Sequence, residues 1–473
     1  MGVLALIEAI LLLVCAGVSL AYGENMTNHF LLVAGGSATL GVILSLLGKG
    51  ASKQLNRRNG YLIVTLTWLL FSAIGMIPYL ISGYIPRVVD AFFESMSGFS
   101  TTGATIVNNV EALPYSLLFW RSLTQWAGGF GIIFCAIAII PFFGIGSMHL
   151  FSADATGPTH EKLHPRISVT AKWIWSVYLM LTVAQILFLL LGGMNLFDSV
   201  CHSFSTISTG GFSTKQTSIA FYNSPYIEYV TSIFMILSGL NFTLFFYVKK
   251  GKIKKAFFDD ELKWFMRSLV LFTAIVAITL GVTSSMSGEE SFRKALFQVS
   301  SVLTTTGLTS ADYMTWQPFL WALLGVIMLL GACSGSASGG IKSIRLLILG
   351  KMTRNEFKRM IHPNAVLPVK INKIAVPPST QSSILLFIIL YALIFIVSWL
   401  SMMAMGIGNV EAFGTVVSSI SSIGPGLGTC GPAHSWNCLP DGGKWLASFL
   451  MLIGRLELFT VLILFTPQFW KKR

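Results

Sequence analysis

Phe99-Ser100-Thr101-Thr102-Gly103-Ala104-Thr105 is the first of four related phrases in this chain. The others are Ser208-Thr209-Gly210-Gly211-Phe212-Ser213-Thr214, Thr304-Thr305-Thr306-Gly307-Leu308-Thr309-Ser310 and Ser422-Ile423-Gly424-Pro425-Gly426-Leu427-Gly428. Counting from Asp90, Asp198, Lys294 and Glu411, a glycine stands thirteen residues on in each case: Gly103, Gly211, Gly307 and Gly424. Step seven is always serine (Ser97, Ser205, Ser301, Ser418), and step nine is always apolar (Phe99, Ile207, Leu303, Ile420). Steps ten and eleven always carry hydroxyls: Ser100 and Thr101, Ser208 and Thr209, Thr304 and Thr305, Ser421 and Ser422. Fourfold repetition of a polar, glycine-ended loop predicts a ring of loops around one axis. A ring of backbone carbonyls is how a protein replaces the water shell of an alkali cation.

The surroundings of these phrases are apolar. The chain is 54% hydrophobic and 11% charged, with a mean hydropathy of +0.73, whereas soluble domains carry about 25% charged residues. Ten spans are expected, at 3–22, 30–47, 61–82, 120–141, 171–191, 227–248, 265–283, 316–350 (broken), 383–405 and 445–466. With both termini cytoplasmic, the inner loops 49–60, 142–172, 249–267, 342–373 and 471–473 hold 25 of the 32 Lys and Arg, as the positive-inside rule asks. Topology and lipid headgroups thus account for the net charge of +13, and no tail suggests nucleic acid. No Lys or Arg precedes Lys49, so the first helix lacks the basic region of a cleaved signal peptide.

The segments about 90–100, 198–208, 294–304 and 411–421 are too short to span. They are expected to be re-entrant helices, with Asp90, Asp198 and Glu411 as favourable N-terminal caps. The fold class is therefore all-α polytopic: a two-helix extension (1–48) and four helix–pore loop–helix repeats (60–145, 170–249, 264–350 and 380–467) around one pore per subunit. Candidate filter residues are Thr101, Thr102 and Gly103, then Thr209, Gly210 and Gly211, then Thr305, Thr306 and Gly307, and Ser422, Ile423 and Gly424. Each terminal glycine allows backbone angles closed to other residues, which lets carbonyls turn inward. The fourth loop departs from the rest, since Ile423 and Pro425 flank its glycine.

A second candidate is Gly331-Ala-Cys-Ser334-Gly335-Ser336-Ala-Ser338-Gly339-Gly340, in which no residue is larger than Cys. It follows an apolar stretch too short to cross the core, so it begins inside the membrane, where a broken helix lines a cavity. Arg455 falls near mid-membrane in the last span; it either anchors loop carbonyls or acts electrostatically on the pore. Gly128-Gly129-Phe130-Gly131 is expected to serve close helix packing, and His202 packing or capping. The six cysteines show no metal spacing; Cys15, Cys135, Cys201 and Cys333 are read as packing residues, and Cys430 and Cys438 as a possible disulfide. An intramembrane enzyme would need carboxylate pairs or a histidine cluster, and neither stands in the sequence.

The four phrases resemble the pore loops of the Trk/Ktr/HKT superfamily of potassium transporters, over essentially the whole chain. The two leading helices, the small-residue run before Gly339-Gly340-Ile341-Lys342 and the ending Phe465-Thr466-Pro467-Gln468-Phe469-Trp470 resemble its bacterial TrkH branch. The resemblance implies potassium uptake across the bacterial cytoplasmic membrane, driven by membrane potential, with an ion-coupled (sodium or proton) symporter as the alternative. It implies a homodimer, a cytosolic TrkA-type regulatory subunit that carries the nucleotide, and no organic cofactor in this chain. It also makes run 331–340 the intramembrane gating loop. In the wider family, serine at the position of Gly103 accompanies sodium transport.

Overall fold

The computed structural model describes residues 1–49, 57–143 and 164–471, and their side chains except at 57, 132–143 and 164–171. Much of the expected inner loops 49–60 and 142–172, residues 472–473 and the side chain of Cys135 lie outside the described residues. Two long apolar helices, α1 (Gly2–Ala21) and α2 (Thr27–Leu47), open the chain as a hairpin. Gly2 and Gly41 let them touch, and Ser37 Oγ donates across to the Ala5 carbonyl at 2.8 Å.

Four units follow. The first comprises α3 (Arg57–Gly75), the short α4 (Val88–Phe99) and α5 (Tyr115–Phe143). The second has α6 (His164–Leu191), α7 (Leu196–Ile207), α8 (Pro225–Ser238) and α9 (Phe242–Lys249). The third has α10 (Asp260–Thr283), α11 (Gly288–Leu303), α12 (Pro318–Ile327) and α13 (Ser343–Ile361). After a two-stranded antiparallel hairpin (β1 Lys370–Ile371, β2 Ile374–Ala375) comes the fourth: α14 (Pro378–Ala404), α15 (Asn409–Ser421), α16 (Asp441–Arg455) and α17 (Leu458–Leu462). Six described helices are long and apolar enough to cross a membrane, or up to eight if each of two bent pairs counts as one. On α14 a stripe of Leu386, Ile389, Leu393, Ile396, Val397 and Leu400 is about half exposed, as a face toward hydrocarbon demands.

Only one broken crossing was expected, and there are three among the described residues. Besides the interruption between α12 and α13, α8 and α9 bend by 92° at Gly239–Asn241, and α16 meets the segment 458–465 at 114°. Glu457, at the second bend, has φ +61° and reaches Arg345 at 2.6 Å. Both bends face the loop 331–342. The Gly239 carbonyl accepts from Cys333 N at 3.1 Å, and Phe242 N donates to the Gly335 carbonyl at 3.2 Å. Arg455 Nη1 donates to the Ala337 carbonyl at 2.7 Å. Backbone groups released by the first bend are thus satisfied by the loop 331–342, and the Arg455 side chain ties the second to the same loop, as irregular backbone at depth requires.

The short helices α4, α7, α11 and α15 are buried along most of their length. The expected caps are not the acids. Asn195 Oδ1 accepts from Asp198 N at 2.7 Å and Ser287 Oγ from Glu290 N at 3.2 Å, while Arg87 and Gly408 precede the other two helices. Asp90 instead pairs with buried Lys444 at 2.6 Å, and Asp198 accepts from Thr214 Oγ1 and Tyr222 OH. An acid two or three residues inside the first turn still favours the helix dipole, but its carboxylate is free to hold a neighbouring loop.

Candidate functional site

The end of each short helix decides the site. In α4, Thr101 N donates to the Gly98 carbonyl and Thr102 N to the Ser97 carbonyl, both at 2.9 Å. That is a Schellman ending with Thr101 as its left-handed residue. The other three helices repeat it: Gly210 N to Ser205, Thr306 N to Ser301 and Ile423 N to Ser418 lie at 2.7, 2.8 and 3.0 Å. The serine at step seven thus supplies the terminal carbonyl of every motif. Its left-handed position, usually glycine, holds Thr101 (φ +53°), Thr209 (+55°), Thr305 (+56°) and Ser422 (+56°). A β-branched residue there is an outlier, and such strain costs of order 1–3 kcal/mol per position. Two residues on, Gly103, Gly211, Gly307 and Gly424 also have positive φ, from +78° to +107°.

These glycines close the ring. A Cβ on Gly103 would collide with the Gly210 carbonyl oxygen, on Gly211 with that of Thr306, on Gly307 with that of Ile423, and on Gly424 with that of Thr102. Each loop abuts the next in chain order and the fourth abuts the first. All four glycines line a single cavity of about 70 Å³. Among the described residues, of the twelve carbonyls at steps eleven to thirteen only that of Gly210 accepts a protein hydrogen bond. The buried hydroxyls of Thr101 and Ser422 also lack partners. Unpaired buried oxygens on this scale are costly, and a desolvated alkali cation is what a set of uncharged oxygens fits.

The candidate filter residues are therefore brought together, but two loops depart from the pattern, not one. In the first and third loops the step-twelve threonine is braced on step ten: Ser100 Oγ with Thr102 Oγ1 at 2.8 Å, Thr304 Oγ1 with Thr306 Oγ1 at 2.7 Å. The second loop has Gly210 at step twelve and the fourth has Ile423. In the fourth, Ser418 Oγ accepts from Gly424 N at 2.9 Å.

Around the cavity stand residues that the sequence pattern left unassigned. Arg121, near the start of the expected span 120–141, is buried in α5, with its Nε 2.8 Å from Glu94 Oε1. Glu94 also accepts from Thr105 Oγ1 and Ile106 N, and the guanidinium stacks 4.1 Å from the Phe212 ring centroid. In the second unit His202 occupies the place of Glu94. Its Nδ1 donates to the Asp198 carbonyl at 2.8 Å, so Nε2 accepts from Ser213 Oγ at 3.0 Å. Lys215 lies 3.9 Å from Asp198 and over the Phe221 ring. Arg121 and Lys215 at the mouth of the ring are thus each faced by an acid. An ionisable residue inside an apolar window was the one available signal for Glu94 and Arg121.

On the opposite side of the ring lies the loop 331–342. Gly331 N donates to the Ile341 carbonyl at 2.9 Å and Ser343 Oγ to the Gly331 carbonyl at 2.8 Å, which pinches its base. Ser334 N donates to Glu261 Oε1 at 2.5 Å, and Ser336 Oγ bonds Ser338 Oγ at 2.8 Å. Gly339 N donates to Thr305 Oγ1 at 2.6 Å, and a Cβ on Gly339 would strike the Ser421 carbonyl. Gly335 and Gly340 have φ of +77° and +65°. The run thus packs directly beneath the third and fourth loops. Arg455, 3% exposed, extends from α16 to the Ala337 carbonyl and, at 3.5 Å, to that of Gly128. Gly128 and Gly129 do serve close packing, against the Phe99 carbonyl and Ser208. Cys430 and Cys438 stand as free thiols with their Sγ atoms 3.6 Å apart. Burial, with the Cys438 thiol beside it, pushes the Cys430 thiol up to about 12.

Four helix–re-entrant loop–helix units closed around one axis define a polytopic membrane transport protein of the pore-loop kind. The chain belongs to the TrkH family, described as cation transport proteins, whose model matches residues 38–472. It is 39% identical to the Trk system potassium uptake protein TrkH of Halomonas elongata, over 96% of this chain and 95% of that protein. It is 38% identical to the protein of the same name from Escherichia coli K12, over 100% of this chain and 98% of the relative. The crystal structure of the potassium transporter TrkH from Vibrio parahaemolyticus superposes with a TM-score of 0.92 at 37% identity, covering 99% of this chain and 98% of that one.

Proposed function

We propose that this chain takes up potassium through a gated, channel-like pore whose filter is the ring of steps eleven to thirteen. The observation that carries this reading is the closed ring in which eleven of twelve carbonyls have no protein donor. Those oxygens stand in for the water shell of a desolvated alkali cation, which moves between adjacent levels without any one binding it too tightly to leave. The C-terminal ends of α4, α7, α11 and α15 converge there and present negative dipole ends. The full names of the relatives above point to potassium as the cargo.

In this reading the protein sits in the bacterial inner membrane as a homodimer with both termini cytoplasmic, and uptake follows the inside-negative potential. The loop 331–342 closes the path beneath the filter, held by Arg455, whose charge adds to the barrier for a cation. A cytosolic nucleotide-binding subunit acts through α13, which Lys351 ties to Asp260 at 2.9 Å and Arg345 to Glu457 at 2.6 Å. The test is flux through the purified chain in potassium-loaded liposomes, with sodium present and absent and at several external pH values. Potassium efflux that needs neither sodium nor a proton gradient is expected. Flux that stops without a second ion replaces the passive pore by a coupled symporter.

A further inference from the structure

We propose that Gln125 is a selectivity-determining positioning residue: its carboxamide holds the Gly210 carbonyl and so sets the field of the step-twelve level of the ring. This inference rests on the filter reading above and goes beyond it. Gln125 lies on α5 of the first unit, fully buried, yet its side-chain bonds all go to α7 and the loop that follows it. Nε2 donates to the Gly210 carbonyl at 2.7 Å, while Oε1 accepts from Phe212 N at 3.1 Å and from Ser205 Oγ at 2.9 Å. The bond from a backbone N–H fixes which end of the amide is oxygen, and hence that the other end donates to Gly210. A Cβ on Gly210 would lie against Cδ of Gln125. Gly210 is therefore glycine to make room for this side chain.

The comparison between loops gives Gln125 its meaning. The first and third loops, opposite one another in the ring, carry a hydroxyl brace between steps ten and twelve. The second has no side chain at step twelve, and Gln125 supplies the brace from the neighbouring unit. The two braces differ in what they touch. The threonine brace leaves the carbonyls of Thr102 and Thr306 free, whereas Gln125 engages the carbonyl itself. A carbonyl that already accepts a hydrogen bond at 2.7 Å gives less of its negative potential to an ion and cannot swing toward a smaller one. Filter preference depends on the number and field strength of the ligating carbonyls. Releasing this one changes both at a single level of the ring.

The sequence of the second loop offers a compensating test. Gly210→Thr would give it the Ser-Thr-Thr-Gly of the first loop, with Ser208 placed to complete the hydroxyl brace. Potassium-to-sodium permeability ratios are to be measured from bi-ionic reversal potentials in planar bilayers for the wild type, Gln125→Ala, Gly210→Thr and the double variant. Gln125→Ala is expected to conduct with the ratio lowered by about tenfold, the scale of one lost buried hydrogen bond. Gly210→Thr alone should lose conduction through collision with Gln125, and the double variant should recover conduction with the ratio still lowered, because a hydroxyl brace leaves the carbonyl at position 210 free, as in the first and third loops. Gln125→Met, close in volume, carries the same expectation should Gln125→Ala not yield intact protein. A ratio within about twofold of wild type in the conducting Gln125 variant or in the double variant, or a double variant that conducts no better than Gly210→Thr, overturns the proposal. A wild type that is not potassium-selective overturns the filter reading instead, so the two failures are distinguishable.

Discussion

Thr101, Thr209, Thr305 and Ser422 carry the strain of this site, and Gly103, Gly211, Gly307 and Gly424 relieve it. A left-handed β-branched residue persists only where its surroundings over-determine it. Here the two Schellman bonds of each helix end and the contact with the next loop do so. The glycine has a different task, since its missing Cβ is the space in which the neighbouring carbonyl sits. Gly103→Ser meets both obstacles: an L-residue at positive φ costs on the order of 1–2 kcal/mol, and its Cβ would press on the Gly210 carbonyl. We expect the potassium-to-sodium permeability ratio to fall by about tenfold, a change of about 1.4 kcal/mol. A wild-type ratio in bilayers would remove Gly103 from the filter.

At the scale of elements, the decisive feature is that helix breaks and the loop 331–342 satisfy one another. Gly239, Phe242, Gly335 and Cys333 exchange backbone bonds, and Arg455 adds a charged bond to the Ala337 carbonyl. Arg455 thus anchors the loop, and in the proposed gate its charge also adds to the barrier for a cation. Arg455→Ala, or deletion of Gly335–Ser338, should raise potassium flux through the isolated chain severalfold by freeing or shortening the plug. A liposome efflux assay on variants of intact size and melting behaviour decides it. Unchanged or lower flux in both variants would falsify the gate and leave Arg455 as an anchor alone.

For the whole molecule, orientation follows from charge. Lys249, Lys250, Lys252, Lys254 and Lys255 crowd the segment after α9, and α13 leads to further basic residues on the same side as the loop 331–342. We expect both termini in the cytoplasm. A C-terminal fluorescent fusion that folds only in the cytosol should glow, and a periplasm-dependent phosphatase at the same site should stay inactive. The reverse pattern would invert the molecule and put the loop beneath the filter on the outside.

The amino-acid sequence by itself determined the repeat, the glycines, the apolar helices and the position of the small-residue run, because each is a local pattern: hydropathy over about twenty residues, or a residue type at a fixed step. It also marked Ile423 as the odd residue of the fourth loop. It could not show that the second loop is equally unlike the first, since Gly210 counts as a departure only once Gln125 is seen filling its place. Nor could it show the bends at Gly239 and Glu457, which no proline marks; at the first the loop 331–342 offers partners to the freed backbone, and at the second Arg455 reaches the same loop and Glu457 reaches Arg345. Glu94 and Arg121 lie 27 residues apart and meet only across two helices. Tertiary structure decided these features for one physical reason. In an apolar solvent every polar group must find a partner inside the protein, and which partner it finds depends on what the fold brings within about 3 Å.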